Sequence, residues 1–487
     1  MLAQIAWVAG WSAGMFLIDS AADAIVSLWT YMDSNGHPLL VSSLVNPTGC
    51  PVISLFENWC LRNRKNVLSK LQERSGDSLR TSFYFASRRL KSLTHRLTSQ
   101  KITIQCAISD ICAIWKTTVR MLEDGPYKEI HNTLIRFKFF GRIVKALNEL
   151  TKQLHTHDTT IQARGIGIQA SDTMGDVAFG ALLSVNPVRA IAQAIRGGLH
   201  DYILHHFLPH ADTGSSQYNQ LLDAYKNISL HCIYPAVRRA TTQALSGKTS
   251  RDLQTFAEHF PDFEHAFNML DFAKDGSIRE EKHADYMKQL CDNPMHSLPM
   301  GIVWPVGHMM KESRVCSECQ AVLYCSRRCQ QQDWNRENGH RTECQIFKEA
   351  EESVPNRLSI RRRCELLIFV EETCNMLYRK TMDHRTLGDA PVFCINGTDQ
   401  TVELSGVRQS TFWNTRIDAE DAIHSTKKGR ARTFFEQAWR DPTIVLAEGI
   451  FMHGHCIIGL VVKLRYLSLL PERQFSVLSA FYSYSGL

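Results

Sequence analysis

Three short pairs of metal-binding side chains lie between Cys316 and Cys344. The pairs are Cys316-x2-Cys319, Cys325-x3-Cys329 and His340-x3-Cys344. Thiolate and imidazole groups at such spacings can be brought onto one tetrahedral Zn²⁺ by a single turn of the chain. The alternative is a group of redox-active or buried thiols without a metal, but paired spacing favours the metal site.

The three pairs are one pair short of a complete set. They supply six ligands, whereas two closed structural zinc sites need eight. Upstream, the segment "CDNPMHSL" offers Cys291 and His296 in a turn that contains proline, and His308 in "WPVGHMM" competes for the same role. We therefore predict two Zn²⁺ ions, with the first site completed by Cys291 and His296 or by His308.

The rest of the composition is that of a soluble globular protein. The chain has 487 residues, of which 44% are hydrophobic and 21% charged, so several domains are expected. Its formal charge of +6 is too small to argue for a nucleic-acid partner. The 15 cysteines are clustered at one point and scattered elsewhere, which is typical of a metal site in a reducing compartment. The cytoplasm, the nucleus or both are the expected location.

The cluster resembles the MYND zinc finger. The matching residues are Tyr324-Cys325-Ser326, Cys329-Gln330, Asp333-Trp334, His340 and Cys344. With a helical region before the finger, the arrangement is similar to the MYND proteins of mushroom-forming fungi. The chain departs from the family pattern in its first pair, which is Cys-x4-His in place of Cys-x2-Cys, and in a spacer lengthened by "RENG" before His340.

The resemblance implies interleaved zinc sites and a peptide-binding groove. Its topology assigns Cys291, His296, Cys325 and Cys329 to one ion, and Cys316, Cys319, His340 and Cys344 to the other. Four protein ligands leave no position for an activated water, so a structural role is implied. In related fingers a Gln and a Trp border a groove for proline-rich peptides, which assigns Tyr324, Gln330 and Trp334 to peptide binding. Packing in the small core of the finger is the alternative for Tyr324 and Trp334.

Two classes of function fit this pattern. The first is a protein-protein interaction or adaptor protein, without enzymatic activity, that recruits proline-rich segments. The second is a SET-type lysine methyltransferase, since some MYND fingers are inserted in SET domains. No Asn-His element follows Cys344, and helix rather than a glycine-bearing strand precedes the finger. The adaptor is therefore the predicted function.

Apolar periodicity predicts a helical array before the finger. Residues of one stripe recur at spacings of three and four and stop before Gly125-Pro126; they are Ile104, Ile108, Ile111, Trp115, Val119 and Leu122. Similar stripes run from Ile130 to Leu154 and from Leu221 to Val237. The predicted class is multidomain and mainly α, with a helical array at 1–285, a finger at 288–345 and an α+β C-terminal domain at 346–487. The array is expected to be either an armadillo-like solenoid or an irregular bundle.

The C-terminal domain is predicted to begin with a helix and to continue in strands. Leu366, Val370, Cys374 and Leu377 share a helical face. "VFCINGTDQTVEL" indicates a hairpin centred on Asn396-Gly397. "TIVLAEGIFMHGHCIIGLVVKLRY" indicates a pair of strands broken near Gly454.

The remaining signals are interpreted as structural. The apolar stretch Leu2 to Ile18 is shorter than the ~20 residues of a membrane span and lacks a basic start, so we predict a buried helix and no membrane partner; a signal-anchor is the alternative. "HGHC" at 453–456 is expected to supply core or surface residues, and the histidines of "HDYILHHFLPH" are expected to lie on an ordinary helix face. The basic runs "RRR" from Arg361 and "KKGRAR" from Lys427 are expected to be solvated, with nuclear import or nucleic-acid contact as the alternative.

Overall fold

The structure is a computed structural model that describes most of the chain. The described residues are 19–40, 49–124, 127–157, 161–208, 215–274, 291–296, 314–337, 339–353, 358–381, 391–397, 401–406, 422–467 and 475–486. The predicted helix at Leu2–Ile18 and the competing ligand His308 lie outside these residues. The chain divides into two compact units, one of Met1–Ser229 with Arg239–Lys274 and the other of Leu230–Arg238 with Asp275–Leu487.

Helices account for the regular structure described before residue 275. They are α1 (Asp19–Thr30), α2 (Pro51–Ser75), α3 (Ser78–Thr98), α4 (Ile104–Asp124), α5 (Tyr127–Arg136), α6 (Phe139–His157), α7 (Ile161–Leu183), α8 (Pro187–Arg196), α9 (Leu199–Tyr202, continued by a π-helical turn over Ile203–Phe207), α10 (Ser216–Ser229), α11 (Pro235–Ala244), α12 (Ser250–His259) and α13 (Glu264–Lys274). None of the described helices combines the length and apolarity needed to cross a bilayer.

The predicted stripe on α4 is confirmed. Ile108, Ile111 and Trp115 are buried at its centre, and the helix ends at Asp124, immediately before Gly125-Pro126. Because these side chains lie three or four residues apart, they form one face that packs against the core.

The two longer stripes are each interrupted in the structure. The stripe from Ile130 to Leu154 is divided between α5 and α6, because Lys138 adopts a left-handed conformation with φ of 53°. The stripe from Leu221 to Val237 passes through a 3-10 turn at Leu230–Ile233, and a new helix starts at Pro235. A proline lacks the N–H that a continuing helix requires, but it fits a first turn.

The second unit combines the finger segment with an α+β domain. Its elements are β1 (Arg314–Val315), β2 (Leu323–Tyr324), α14 (Arg327–Asn335), α15 (His340–Ser353), α16 (Ile360–Thr381), β3 (Pro391–Asn396), β4 (Thr401–Gly406), α17 (Ala422–Arg440), β5 (Ile444–His453), β6 (Cys456–Tyr466) and β7 (Phe475–Gly486). The multidomain, mainly α class with an α+β C-terminal part is therefore confirmed. The predicted domain bounds and the armadillo-like packing stay predictions.

Strands β3 to β7 form one sheet in the order β4-β3-β5-β6-β7. Both predicted hairpins are confirmed, since β3 pairs antiparallel with β4 up to Asn396 and Thr401, and β5 pairs with β6 up to His453 and Cys456. Gly454 has a φ of 65° in the second turn, a conformation that glycine adopts without steric cost. Strand β6 also pairs antiparallel with β7, whereas β3 and β5 are parallel.

Helices cover both faces of this sheet. Phe434 of α17 packs with Leu446 of β5, and Phe369 of α16 meets Phe451 of β5 at a ring distance of 5.8 Å. Leu446 and Phe451 are separated by an odd number of positions, so their side chains point to opposite faces. Val461 of β6 packs with Phe434 on the side of the sheet that α17 covers. Lys463 lies two residues after Val461 and therefore points to the same side.

Candidate metal centre

The first ligand set joins a turn after β1 to the start of α15. Cys316 and Cys319 lie in the loop between β1 and β2, and His340 and Cys344 occupy the first turns of α15, four residues apart on one helical face. The Sγ atoms of Cys316 and Cys344 are 3.7 Å apart, and Cys319 Sγ is 3.5 Å from His340 Nε2. All four side chains are buried.

The second set joins an upstream turn to the start of α14. Cys291 and His296 flank a turn, while Cys325 and Cys329 lie before and inside the first turn of α14, where the Ser326 side chain caps the Cys329 amide at 3.2 Å. His296 Nδ1 is 3.4 Å from each of the thiols of Cys325 and Cys329, which are themselves 3.4 Å apart.

The geometry of both sets fits a tetrahedral metal. Zn–S bonds of about 2.3 Å and Zn–N bonds of about 2.0 Å predict edges of roughly 3.8 Å between two sulfurs and 3.5 Å between sulfur and nitrogen. The observed distances are 3.4 to 3.7 Å, and the ligand atoms of each set all lie within 4.8 Å of one another. Each set has three cysteines and one histidine, which is a donor combination of structural zinc sites.

The structure brings the eight predicted ligands together in the interleaved arrangement that the family resemblance implies. The first and third pairs meet, and so do the second and fourth. Among the described residues these are the groups of side chains that could hold a metal. Cys291 and His296 thus complete the set that includes Cys325 and Cys329, while His308 lies outside the described residues.

Protonation of the ligands depends on burial. Burial lowers the pKa of His340 to about 4, with a smaller effect of the same sign from Arg430, so the imidazole is neutral and able to ligate at physiological pH. Burial raises the pKa of the Cys319 thiol to about 12. A buried thiolate therefore needs a cation beside it, and a divalent metal supplies that cation.

The small core of the finger holds one of the predicted peptide-binding residues. Tyr324 is completely buried, and its hydroxyl donates to Asp333 Oδ2 at 2.8 Å. Its assignment to a peptide groove is therefore wrong, because a peptide cannot contact a side chain without exposed surface. Trp334 is half-buried, with its ring 5.8 Å from that of His340, and Gln330 is also half-buried. Both retain exposed surface on α14.

A buried arginine from α17 neutralises the acids of the finger. The Arg430 guanidinium is 1% exposed and donates to Glu343 Oε2 and to Asp333 Oδ2 at 2.7 Å each, and to the Asp292 carbonyl at 2.5 Å. Burial alone lowers the pKa of Arg430, but the two carboxylates outweigh this and raise it above its usual value. The expected solvation of the run "KKGRAR" is thus wrong for this residue.

A second buried arginine comes from the run "RRR". Arg361 is exposed as predicted, but Arg362 and Arg363 are buried. Arg363 donates to the Ala321 carbonyl, two residues after the ligand Cys319, and it lies 3.5 Å from Asp292. The Asp292 carboxylate in turn accepts from the Leu323 amide at 2.7 Å. These arginines hold the loops that carry the ligands.

A buried lysine completes the attachment. Lys463 Nζ donates to the carbonyls of Pro294 and His296 at 2.7 and 2.9 Å and to Gln437 Oε1 at 2.8 Å. Burial lowers the pKa of Lys463 to about 7. The turn with Cys291 and His296 is therefore held by a side chain of the C-terminal sheet.

The other histidine-rich motifs have structural roles where they are described. His453 is buried and lies 3.2 Å from the Tyr234 hydroxyl. His200 is buried between the hydroxyls of Tyr225 at 2.8 Å and Thr241 at 3.2 Å. Each is a core residue of its own unit, and neither belongs to a group of described side chains that could hold a metal.

Comparison with known proteins identifies the finger. Residues 308–344 match the family model of the MYND finger, which covers six of the eight ligands and leaves out Cys291 and His296. No curated protein and no solved structure matches the chain. The segment is thus a MYND finger with two Cys/His clusters able to hold metal ions. The resemblance to fungal proteins stays a prediction.

Proposed function

We propose that the chain is a zinc-dependent adaptor, without catalytic activity, that recruits proline-rich segments of other proteins through its MYND finger. The observation that carries the proposal is the pair of complete four-ligand sets beside a helix with an exposed amide and aromatic surface. Closed sites support a structural role for the metal. The expected location is the cytoplasm or the nucleus, in keeping with 15 cysteines that form no disulfide.

The expected occupancy is two zinc ions per chain. A zinc ion with three thiolates and one neutral imidazole has a net charge of about −1, so buried cations should stabilise each site. Lys463 lies beside the turn that carries Cys291 and His296, whereas Arg430 is paired with Asp333 and Glu343. Metal analysis of the purified chain should give two zinc ions. A value of one would leave one set without its metal, and a value of zero would contradict the proposal.

Peptide binding would use the exposed parts of Trp334 and Gln330. A proline-rich segment loses little conformational entropy on binding and packs well on an indole, so micromolar affinity is expected. Titration of the zinc-loaded full chain with a labelled proline-rich peptide tests this. Trp334→Ala should abolish binding while metal content and circular dichroism remain unchanged.

Trp439→Ala is the matched control, because that indole is 56% exposed and belongs to α17 rather than to the finger. It should bind peptide like the unmodified chain. Loss of zinc in Trp334→Ala would show that the indole is a core residue, and undiminished binding would show that it is no part of a groove.

A further inference from the structure

One face of α14 has side chains that the described residues leave exposed or partly exposed, whereas the opposite face is occupied by contacts within the finger. On the occupied side Cys329 is a ligand and Asp333 contacts Tyr324 and Arg430. On the other side Arg327 and Gln331 are exposed and Trp334 is half-buried. Spacings of four and seven residues place these three on one helical face.

This face has a positive end and an aromatic end. Arg327 makes no ion pair with any residue that the structure describes, and the buried Asp333 is the helix's acidic residue. The N-terminus of α14 lies at the same end as Arg327 and adds a partial positive charge. Arg327 and Trp334 are seven residues apart, which corresponds to about 10 Å along the helix.

We propose that this face selects proline-rich segments that carry a carboxylate about three residues from the proline that packs on Trp334. An extended polyproline segment rises about 3.1 Å per residue, so three residues span the distance between the indole and the guanidinium. Arg327 pairs with a carboxylate through two parallel N–H donors. The proposal rests on the proposed function, since it specifies the partner of the same surface.

The neighbouring Arg328 provides a matched control. It is also exposed, but one residue along a helix turns the side chain by about 100°, away from the line between Arg327 and Trp334. The same substitution at either position changes the net charge of the chain equally. Only the one at Arg327 removes the cation from this face.

The experiment compares two synthetic peptides on the zinc-loaded full chain by fluorescence anisotropy. One has a glutamate three residues from a run of prolines, and the other has glutamine there. The glutamate peptide should bind about three- to fivefold more tightly at low salt, as expected for an exposed ion pair, and less so at high salt. Arg327→Gln should make the two affinities equal, and Arg328→Gln should preserve the difference.

The possible failures are distinguishable. Equal affinities for both peptides on the unmodified chain, or the loss of preference with Arg328→Gln in place of Arg327→Gln, would overturn the inference and leave the adaptor function standing. Failure to bind either peptide would overturn the proposed function and this inference with it.

Discussion

The helical unit and the metal centre are stabilised in different ways. In the helical unit, apolar faces such as that of α4 supply the interior, and charged groups remain mostly outside. Around the finger, cysteines and histidines replace much of the apolar core, and Arg430, Arg363 and Lys463 are buried. The first strategy depends on area removed from water, and the second on ligands and compensated charges. The difference predicts which perturbations each region tolerates.

Removal of metal should have the largest effect, and on one region only. Structural zinc contributes on the order of 10 kcal/mol to the folding of small fingers. Chelation, or Cys316→Ser, should expose the backbone amides of 314–344 and of α17, whose Arg430 would lose its partners. Amides of α4 should remain protected. Hydrogen exchange, detected by mass spectrometry, measures the protection of the amides in both regions. Protected finger amides after complete metal removal would contradict a metal-dependent fold.

The next largest effect is expected for Arg430→Met. This change removes the buried cation that Asp333 and Glu343 share and leaves Asp333 only its 3.4 Å contact with Arg336. Breaking a buried ion pair in this way typically costs about 3–5 kcal/mol. Arg432→Met is the control, because its side chain is 76% exposed and its pair with Glu436 lies at the surface. Denaturant unfolding, monitored through the release of zinc, should give a lower midpoint for Arg430→Met than for Arg432→Met. Equal midpoints would show that the buried network contributes no net stability.

A core truncation in the helical unit should have a smaller effect that does not depend on metal. Ile111 is fully buried on α4, and Ile111→Ala should cost about 2–4 kcal/mol through lost burial and a residual cavity. The loss of stability, measured by hydrogen exchange of the α4 amides, should be the same with and without chelator. A change in its size on chelation would show that the two regions are energetically coupled.

Acid should weaken the helical unit through His200. Burial lowers the pKa of His200 to about 3, below its ordinary value of 6.5, so the unfolded chain binds the proton more readily. Its stabilisation is complete above pH 6.5 and declines as pH falls towards 3. About 2 kcal/mol should be lost at pH 5. His200→Gln should flatten this dependence in denaturant titrations of the zinc-free chain, and an unchanged slope would assign the acid sensitivity to other groups.

Local patterns in the sequence predicted the ligands and the main helical faces. Cys325 and Cys329, or Ile108 and Ile111, are close in sequence, so their spacing alone places them on one turn or one face. Cys291 required a count of ligands rather than a motif, because it lies outside the segment that matches the family.

The rest depends on contacts between distant residues. Arg430 meets Glu343 across 87 positions, and no periodicity in a basic run indicates that one of its members is buried. Tyr324 was assigned to a groove because its place in the motif does not reveal the hydrogen bond to Asp333. The break at Lys138 has no sequence signal either, since lysine seldom adopts a positive φ.

The separation of Arg430 from the acids it neutralises also matters during synthesis. The ribosome releases every zinc ligand before it makes α17, so the metal can bind while Asp333 and Glu343 still lack their cation. While those 87 residues are translated, the nascent finger has two acidic groups that Arg430 has not yet neutralised. A chaperone with a basic surface would find this intermediate, and not the mature protein, a suitable client.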